Sequence, residues 1–283
     1  TGARGLSVIT ILVLLFALTT LLSIIFYKRS KKFEDGIALL KMQVLELSRK
    51  RTDFVANVSH ELKTPLTSIQ GFAETLKNGA LEDSEKATQF LDKILDHTER
   101  LDRLIHDILD LSRLEATDEH LSTEQIPMDE FLKSLRELFA LRLEQKSQSL
   151  VIDNEVKELR ADRHLLEQAF SNLIANAHRY CHEGAIIEVR GYYHPEAGGS
   201  VAIFEVIDNG PGISASDLPR IFERFYRADK SRNRAFGGTG LGLAIVKHIV
   251  MSHGGRVAAF NNTQGGMRFQ MTCLLYTSPS PRD

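Results

Sequence analysis

The chain has 283 residues, with 35 Lys or Arg against 37 Asp or Glu, a formal net charge of −2 and 43% hydrophobic residues. That composition supports a packed core and gives no case for nucleic-acid binding, which calls for a basic face. There is no tryptophan, and the two cysteines, Cys181 and Cys273, stand in no metal or disulfide spacing, which fits a reducing compartment for the folded part.

Leu6 to Tyr27 carries no charge. About 22 residues suffice for a helix to cross a hydrocarbon core of roughly 30 Å. Lys28, Arg29, Lys31 and Lys32 follow at once, against only Arg4 before it. The positive-inside rule then predicts a transmembrane helix over 6–27 in the inner (cytoplasmic) membrane, an extracytoplasmic remnant at 1–5, and everything after residue 28 in the cytoplasm. A cleaved signal peptide is the alternative, but the apolar run is too long for one and no small-residue cleavage site follows it.

Residues 28–50 read as a helical signalling linker. Ile37, Leu40, Val44, Leu47, Phe54, Val58 and Leu62 keep nearly one helical face, interrupted by Arg51, as in the seam of a paired helix. The helix is therefore expected to run unbroken from the bilayer into the next region, residues 51–118.

The most informative stretch lies there, at residues 58–69, VSHELKTPLTSI. At about 100° per residue, Phe54, Val55, Leu62, Leu66, Ile69, Phe72 and Leu76 fall within about 80° of Val58, while His60 lies about 200° round and Thr64 about 240°. The imidazole thus points away from the apolar stripe, one turn from the Thr64 hydroxyl. Glu61 sits close enough to orient or deprotonate the ring. The dodecamer resembles the phosphoacceptor box of sensor histidine kinases, and Gly71–Leu76 after it resembles the phosphate-responsive branch. Asn78–Gly79 ends the helix. A second helix is expected over about 85–114, with Phe90, Ile94, Leu101, Leu104, Ile108 and Leu111 on one face. Two antiparallel helices cannot bury both stripes alone; a dimeric antiparallel four-helix bundle can.

Residues 119–272 change pattern. Helices are expected at 128–145, from an Asp162 cap to Tyr180, and at 242–253; strands at 150–154, 186–193, 201–207, 256–260 and 267–272. This predicts a mixed α/β domain, a sheet covered by helices.

Four boxes follow in that domain. The first holds Asn172, Asn176, Arg179 and Tyr180, with both amides on one helix face. The second, Asp208-Asn-Gly210-Pro-Gly212, follows an apolar strand. The third, Ile221-Phe222-Glu-Arg-Phe225-Tyr226-Arg227, precedes a basic loop with Lys230, Arg232 and Arg234. The fourth is Gly237-Gly238-Thr239-Gly240-Leu241-Gly242, a glycine-rich turn into a helix, where backbone N–H groups bind phosphate. No Lys-Ser/Thr closes it, so it is not a P-loop.

Together the boxes resemble the ATP-binding domain shared by histidine kinases, gyrase-type topoisomerases, Hsp90 chaperones and mismatch-repair ATPases; the whole resemblance covers about residues 50–272. It implies an α/β sandwich binding ATP and Mg²⁺. Asn176 would ligate Mg²⁺ with Asn172 in support, Arg179 and Arg227 would reach phosphate, and Tyr180 would cover the adenine. Asp208 would read the adenine amino group, Gly210 and Gly212 would admit the ligand, Phe222 would anchor the lid, and Gly238, Thr239, Gly240, Leu241 and Gly242 would line the phosphates. It also implies autophosphorylation of His60 with help from Glu61 and transfer to an Asp of a response-regulator receiver domain. A phosphatase activity through Thr64, in a homodimer held at the lipid bilayer, is implied as well. Arg179 departs from the family's usual Lys. The alternatives are a catalytically inactive signalling scaffold and a related ATPase without phosphohistidine.

Both ends carry expectations. Thr1 is not Met, and the resemblance implies an upstream sensor and a first membrane helix. Residues 273–283, CLLYTSPSPRD, read as a translated sequencing adapter, which would end the native chain near Thr272. A Ser/Pro-rich tail is the alternative.

Overall fold

The structure is a computed structural model that describes residues 2–116, 121–196, 199–228, 238–262 and 265–273. It divides into two compact units, residues 1–60 and 61–283.

The first unit lies within a single helix, α1 (Gly2–Lys77). This helix is long and apolar enough to cross a membrane, and none of its most apolar window is buried. The hydroxyls of Thr19 and Thr20 donate back to the Phe16 carbonyl at 2.9 and 3.0 Å. A hydroxyl satisfied within its own helix can sit in an apolar surrounding without loss. Ile37, Leu40 and Val44, on the expected seam, are exposed in the single chain.

In the second unit α1 continues through Pro65 to Lys77, and the chain turns at Gly79 with φ +120°. Asp83 then accepts a 3.2 Å hydrogen bond from the Lys86 N–H and caps α2 (Ser84–Ala116). Phe72 stacks on Phe90 at 5.7 Å and on His97 at 6.0 Å. Leu76, Leu104 and Leu111 are buried, whereas Leu66, Leu91, Leu95, Ile105 and Leu109 stay exposed. The hairpin thus buries one stripe and leaves a second apolar set uncovered.

The α/β part contains β1 (Thr123–Pro127), α3 (Met128–Glu144), β2 (Ser149–Asn154), β3 (Glu158–Asp162) and α4 (Arg163–Tyr180). After these come β4 (Ile186–Glu196), β5 (Gly199–Asp208), α5 (Gly242–Ser252), β6 (Arg256–Asn261) and β7 (Met267–Cys273). Five strands form one sheet in the order β2-β4-β5-β7-β6, with β2 parallel to β4 and the other pairs antiparallel. Strands, helices and the Asp162 cap follow the sequence expectations closely. One feature was not expected: β1 pairs antiparallel with β3, from Thr123 opposite Asp162 to Pro127 opposite Glu158. The strands are short and far apart in the chain, and only Ile126, Leu159 and Ala161 are buried on them, so alternation alone was too weak to reveal them.

Helix-to-sheet packing runs through aromatic edges. Phe131 of α3 meets Phe170 of α4 at 5.7 Å, and Phe170 meets Phe204 of β5 at 5.5 Å, both edge-on. The N-terminus of α4 is fixed twice. Asp162 Oδ1 accepts from the Leu165 N–H at 3.1 Å, and the Asp162 N–H donates to Nε2 of His253 at 3.0 Å. Because Nδ1 of the same ring lies 2.8 Å from the Ile249 carbonyl, His253 is held as the tautomer protonated on Nδ1. Its ring therefore joins the start of α4 to the end of α5.

Candidate functional site

The site grows from the polar side of α4. Leu166, Ala169, Phe170, Leu173, Ile174 and Ala177 face the core. Asn172, Asn176 and Arg179 are consequently turned, half-buried, toward a cleft of about 960 Å³. Burial pulls the Arg179 guanidinium pKa below its ordinary value. Lys146 Nζ donates to the His178 carbonyl in the last turn of α4 at 2.9 Å, and Gln148 Nε2 donates to the His182 carbonyl just past its end at 2.9 Å. The His178 ring, which carries no motif, joins the same cluster, with Nδ1 2.7 Å from Gln148 Oε1.

At the end of β5 the buried Asp208 accepts on Oδ1 from the Gly210 N–H at 2.9 Å and from the Met267 N–H at 3.1 Å. Cys181 lies against it; burial, with the Asp208 charge, pushes its thiol up to about 12 and leaves it unreactive at neutral pH. Gly212 has φ +70°, and its carbonyl neighbour Ile213 is pinned by Asn261, whose Oδ1 accepts the Ile213 N–H at 2.9 Å.

Before α5 the glycine-rich turn closes against the third box. Gly240 has φ +77°, and a Cβ there would lie 2.9 Å from the Phe225 Cα. Its carbonyl accepts the Phe225 N–H at 2.9 Å. Only glycine combines that backbone with that approach.

The structure therefore brings Asn172, Asn176, Arg179, Tyr180, Asp208, Gly212, Arg227, Gly238, Thr239, Gly240 and Gly242 to one cleft. Three expected members stand behind it. Gly210 supports Asp208, Leu241 is fully buried, and Phe222 meets Phe269 edge-on at 6.5 Å. Lys230, Arg232, Arg234 and Gly237 lie outside the described residues. The donor set suits Mg²⁺, a hard cation that keeps several waters and takes few protein oxygens beside substrate phosphate. Asn176 offers one such amide oxygen on the cleft wall. Among the described residues no group of three or more His, Cys, Asp or Glu is placed to hold a metal.

The helical hairpin also reaches the cleft, which sequence reading missed. Glu99, Arg103 and Asp107 of α2 line it. Asp107 Oδ2 accepts from the Thr239 hydroxyl at 2.6 Å, and burial raises its carboxyl pKa against the pull of that bond. Glu61 Oε2 accepts from Arg100 and from Arg227, each at 3.2 Å, and Arg227 also donates to the Gly238 carbonyl. Further down, Gln168 donates to Asp110 at 2.6 Å, and Glu115 pairs with Arg224. On a bare sequence these α2 carboxylates look like an ordinary solvated helix face. His60 and Thr64 are exposed on α1.

Residues 50–117 match the His Kinase A (phospho-acceptor) domain, and residues 161–277 match the histidine kinase-, DNA gyrase B- and HSP90-like ATPase family. The sensor protein kinase WalK of Staphylococcus aureus is 37% identical over 236 residues, covering 83% of this chain and 55% of that protein. The chain thus spans about half the length of that relative. Among solved structures, Acinetobacter baumannii histidine kinase AdeS aligns with a TM-score of 0.61 and 27% identity, over 77% of this chain and 98% of that one. Full-length ShkA in complex with AMPPNP aligns with a TM-score of 0.58 and 27% identity, over 81% of this chain and 47% of that one. The two domains, in this order on one chain, and the WalK relative support a sensor histidine kinase of a two-component system.

Proposed function

We propose that this chain is the membrane-proximal and catalytic part of a sensor histidine kinase that phosphorylates His60 with ATP and passes the phosphoryl group to an Asp of a response-regulator receiver domain. One observation carries this most: Glu61, next to His60 in the chain, is tied through Arg227 to the glycine-rich turn of the nucleotide cleft.

ATP would lie between α4 and the turn, with Asp208 toward the adenine amino group and Tyr180 over the ring. Arg179, Arg227 and the backbone N–H groups of the turn would offset charge on the phosphates; positioning and electrostatics do most of the work in phosphoryl transfer. Asn176, supported by Asn172, would hold Mg²⁺, which when bound supplies further charge neutralisation. A ring nitrogen of His60, Nε2, attacks the γ-phosphorus as the bond to the ADP oxygen breaks. Glu61 accepts a hydrogen bond from the other nitrogen and takes that nitrogen's proton as the N–P bond forms, which leaves the phosphorylated ring neutral. The N–P bond formed is labile, so the group can move on to a carboxylate. Thr64, one turn along, would orient a water that dephosphorylates the regulator.

The uncharged segment 6–27 would anchor the chain in the cytoplasmic membrane, with the cluster Lys28, Arg29, Lys31 and Lys32 on the cytoplasmic side. Leu66, Leu91, Leu95, Ile105 and Leu109, exposed in one chain, would be covered by a second copy in a four-helix bundle. A tie of Gly71–Leu76 to the phosphate-responsive branch rests on sequence likeness alone. Incubation with γ-labelled ATP, then acid and base treatment, tests the proposal: label lost in acid and kept in base is the phosphohistidine outcome. An absence of protein label with intact ATP-analogue binding would favour a scaffold or an ATPase.

A further inference from the structure

Glu61 is served by two guanidinium groups. Arg100, on α2, and Arg227, in the third box, each place Nη2 3.2 Å from the same oxygen, Glu61 Oε2. The three side chains are 13%, 12% and 22% exposed for Arg100, Arg227 and Glu61, so this is not a solvated surface pair. One carboxylate with two cations holds one positive charge more than it balances. Burial and, after it, the charge of Arg227 pull the Arg100 pKa down, against the opposing pull of Glu61.

The two arginines are not equivalent. Arg227 lines the nucleotide cleft and also donates to the Gly238 carbonyl; Arg100 does not line it. A triphosphate in the cleft offers Arg227 several oxygens and more charge than one carboxylate does. The surplus cation is then the one that leaves, and Arg100 is the one that stays.

We propose that Arg100 is the positioning residue of Glu61: it holds the carboxylate beside His60 in the chain while Arg227 passes from Glu61 to the phosphates of bound ATP. This rests on the kinase function proposed above. Arg100 stands outside the lining of the cleft and acts through its bond to Glu61. A guanidinium suits the task because its planar fork fixes a carboxylate in one orientation, which an ammonium does not.

The test uses the full chain in vesicles, with γ-labelled ATP and initial rates of acid-labile labelling over a range of ATP concentrations. Arg100→Ala should lower kcat about tenfold, with KM and ATP-analogue affinity within about twofold of the original. Arg100→Lys, which keeps the charge and loses the fork, should recover part of kcat. The double variant Arg100→Ala with Glu61→Gln should be within about twofold of Glu61→Gln alone, since residues acting as a unit are not additive. Circular dichroism and analogue binding guard against misfolding, and Arg100→Met, which keeps the side-chain length, replaces Arg100→Ala if that variant loses helicity. Multiplicative losses in the double variant, or a raised KM with unchanged kcat, would overturn the role of Arg100 while leaving the kinase standing. An original chain that takes up no acid-labile label would overturn the kinase and this role with it.

Discussion

Thr239, in the glycine-rich turn, donates its hydroxyl to Oδ2 of Asp107 on α2 at 2.6 Å. The turn is thereby tied to the helical hairpin at two adjacent residues, since Gly238 accepts from Arg227, which holds Glu61. Asp110 with Gln168, and Glu115 with Arg224 and His248, extend the contact along α2. Asp107 thus occupies the Thr239 hydroxyl of the turn, and Glu61 occupies the Arg227 guanidinium at the cleft. Under the proposed function, phosphate would compete for both.

Asp107 puts negative charge on the cleft wall near Arg103 and Arg179. Asp107→Asn should therefore tighten binding of a non-hydrolysable ATP analogue about fivefold, roughly 1 kcal/mol. The sign of the pH effect follows from burial, which raises the carboxyl pKa in the folded chain. The cost of the charge is present above that raised pKa and is relieved as pH falls. The affinity gap between the original and Asp107→Asn should accordingly narrow as pH is lowered from about 7 toward about 5. A gap that widened, measured by calorimetry across that range, would contradict the assignment.

Asn176→Asp keeps the size of the side chain and replaces an amide oxygen and its NH₂ by a charge facing the triphosphate. ATP-analogue affinity in Mg²⁺ should fall more than tenfold, about 1.4 kcal/mol or more, with the thermal transition little changed. Unchanged affinity would remove Asn176 from the site.

Gly240→Ala places a Cβ 2.9 Å from the Phe225 Cα on a backbone with φ +77°. The turn should be destabilised by about 1–3 kcal/mol, seen as weaker analogue binding and a lower Tm of the ATP-binding domain. Full binding and an unchanged Tm would mean that the turn relaxes freely.

Thr64→Ala removes one exposed hydroxyl from α1. Labelling of His60 should persist while dephosphorylation of a phosphorylated regulator falls at least about tenfold. Equal loss of both activities would make Thr64 a structural residue.

Much of this was legible in the chain because period and caps agree locally. The Asp162 cap and the apolar face of α4 already set Asn172, Asn176 and Arg179 on one side. What could not be read depends on contacts between distant segments. The β1–β3 ladder joins short strands about 35 residues apart with few apolar positions. Arg100 and Asp107 are charged residues on a helix whose apolar stripe is satisfied without them, and only the packing of α2 against the glycine turn gives them partners. Gly210, Phe222 and Leu241 take supporting places. Their boxes are part of the site, but these three side positions brace the cleft wall from behind and do not line it.

The central claim is that His60 receives phosphate from ATP bound in this cleft. The most direct measurement is incubation of the original chain and His60→Gln with γ-labelled ATP, followed by mapping of the acid-labile label. The account predicts label on the peptide containing His60 and none on His60→Gln, with ATP-analogue binding equal in the two. Equal acid-labile label on both chains, or none on the original, would contradict it.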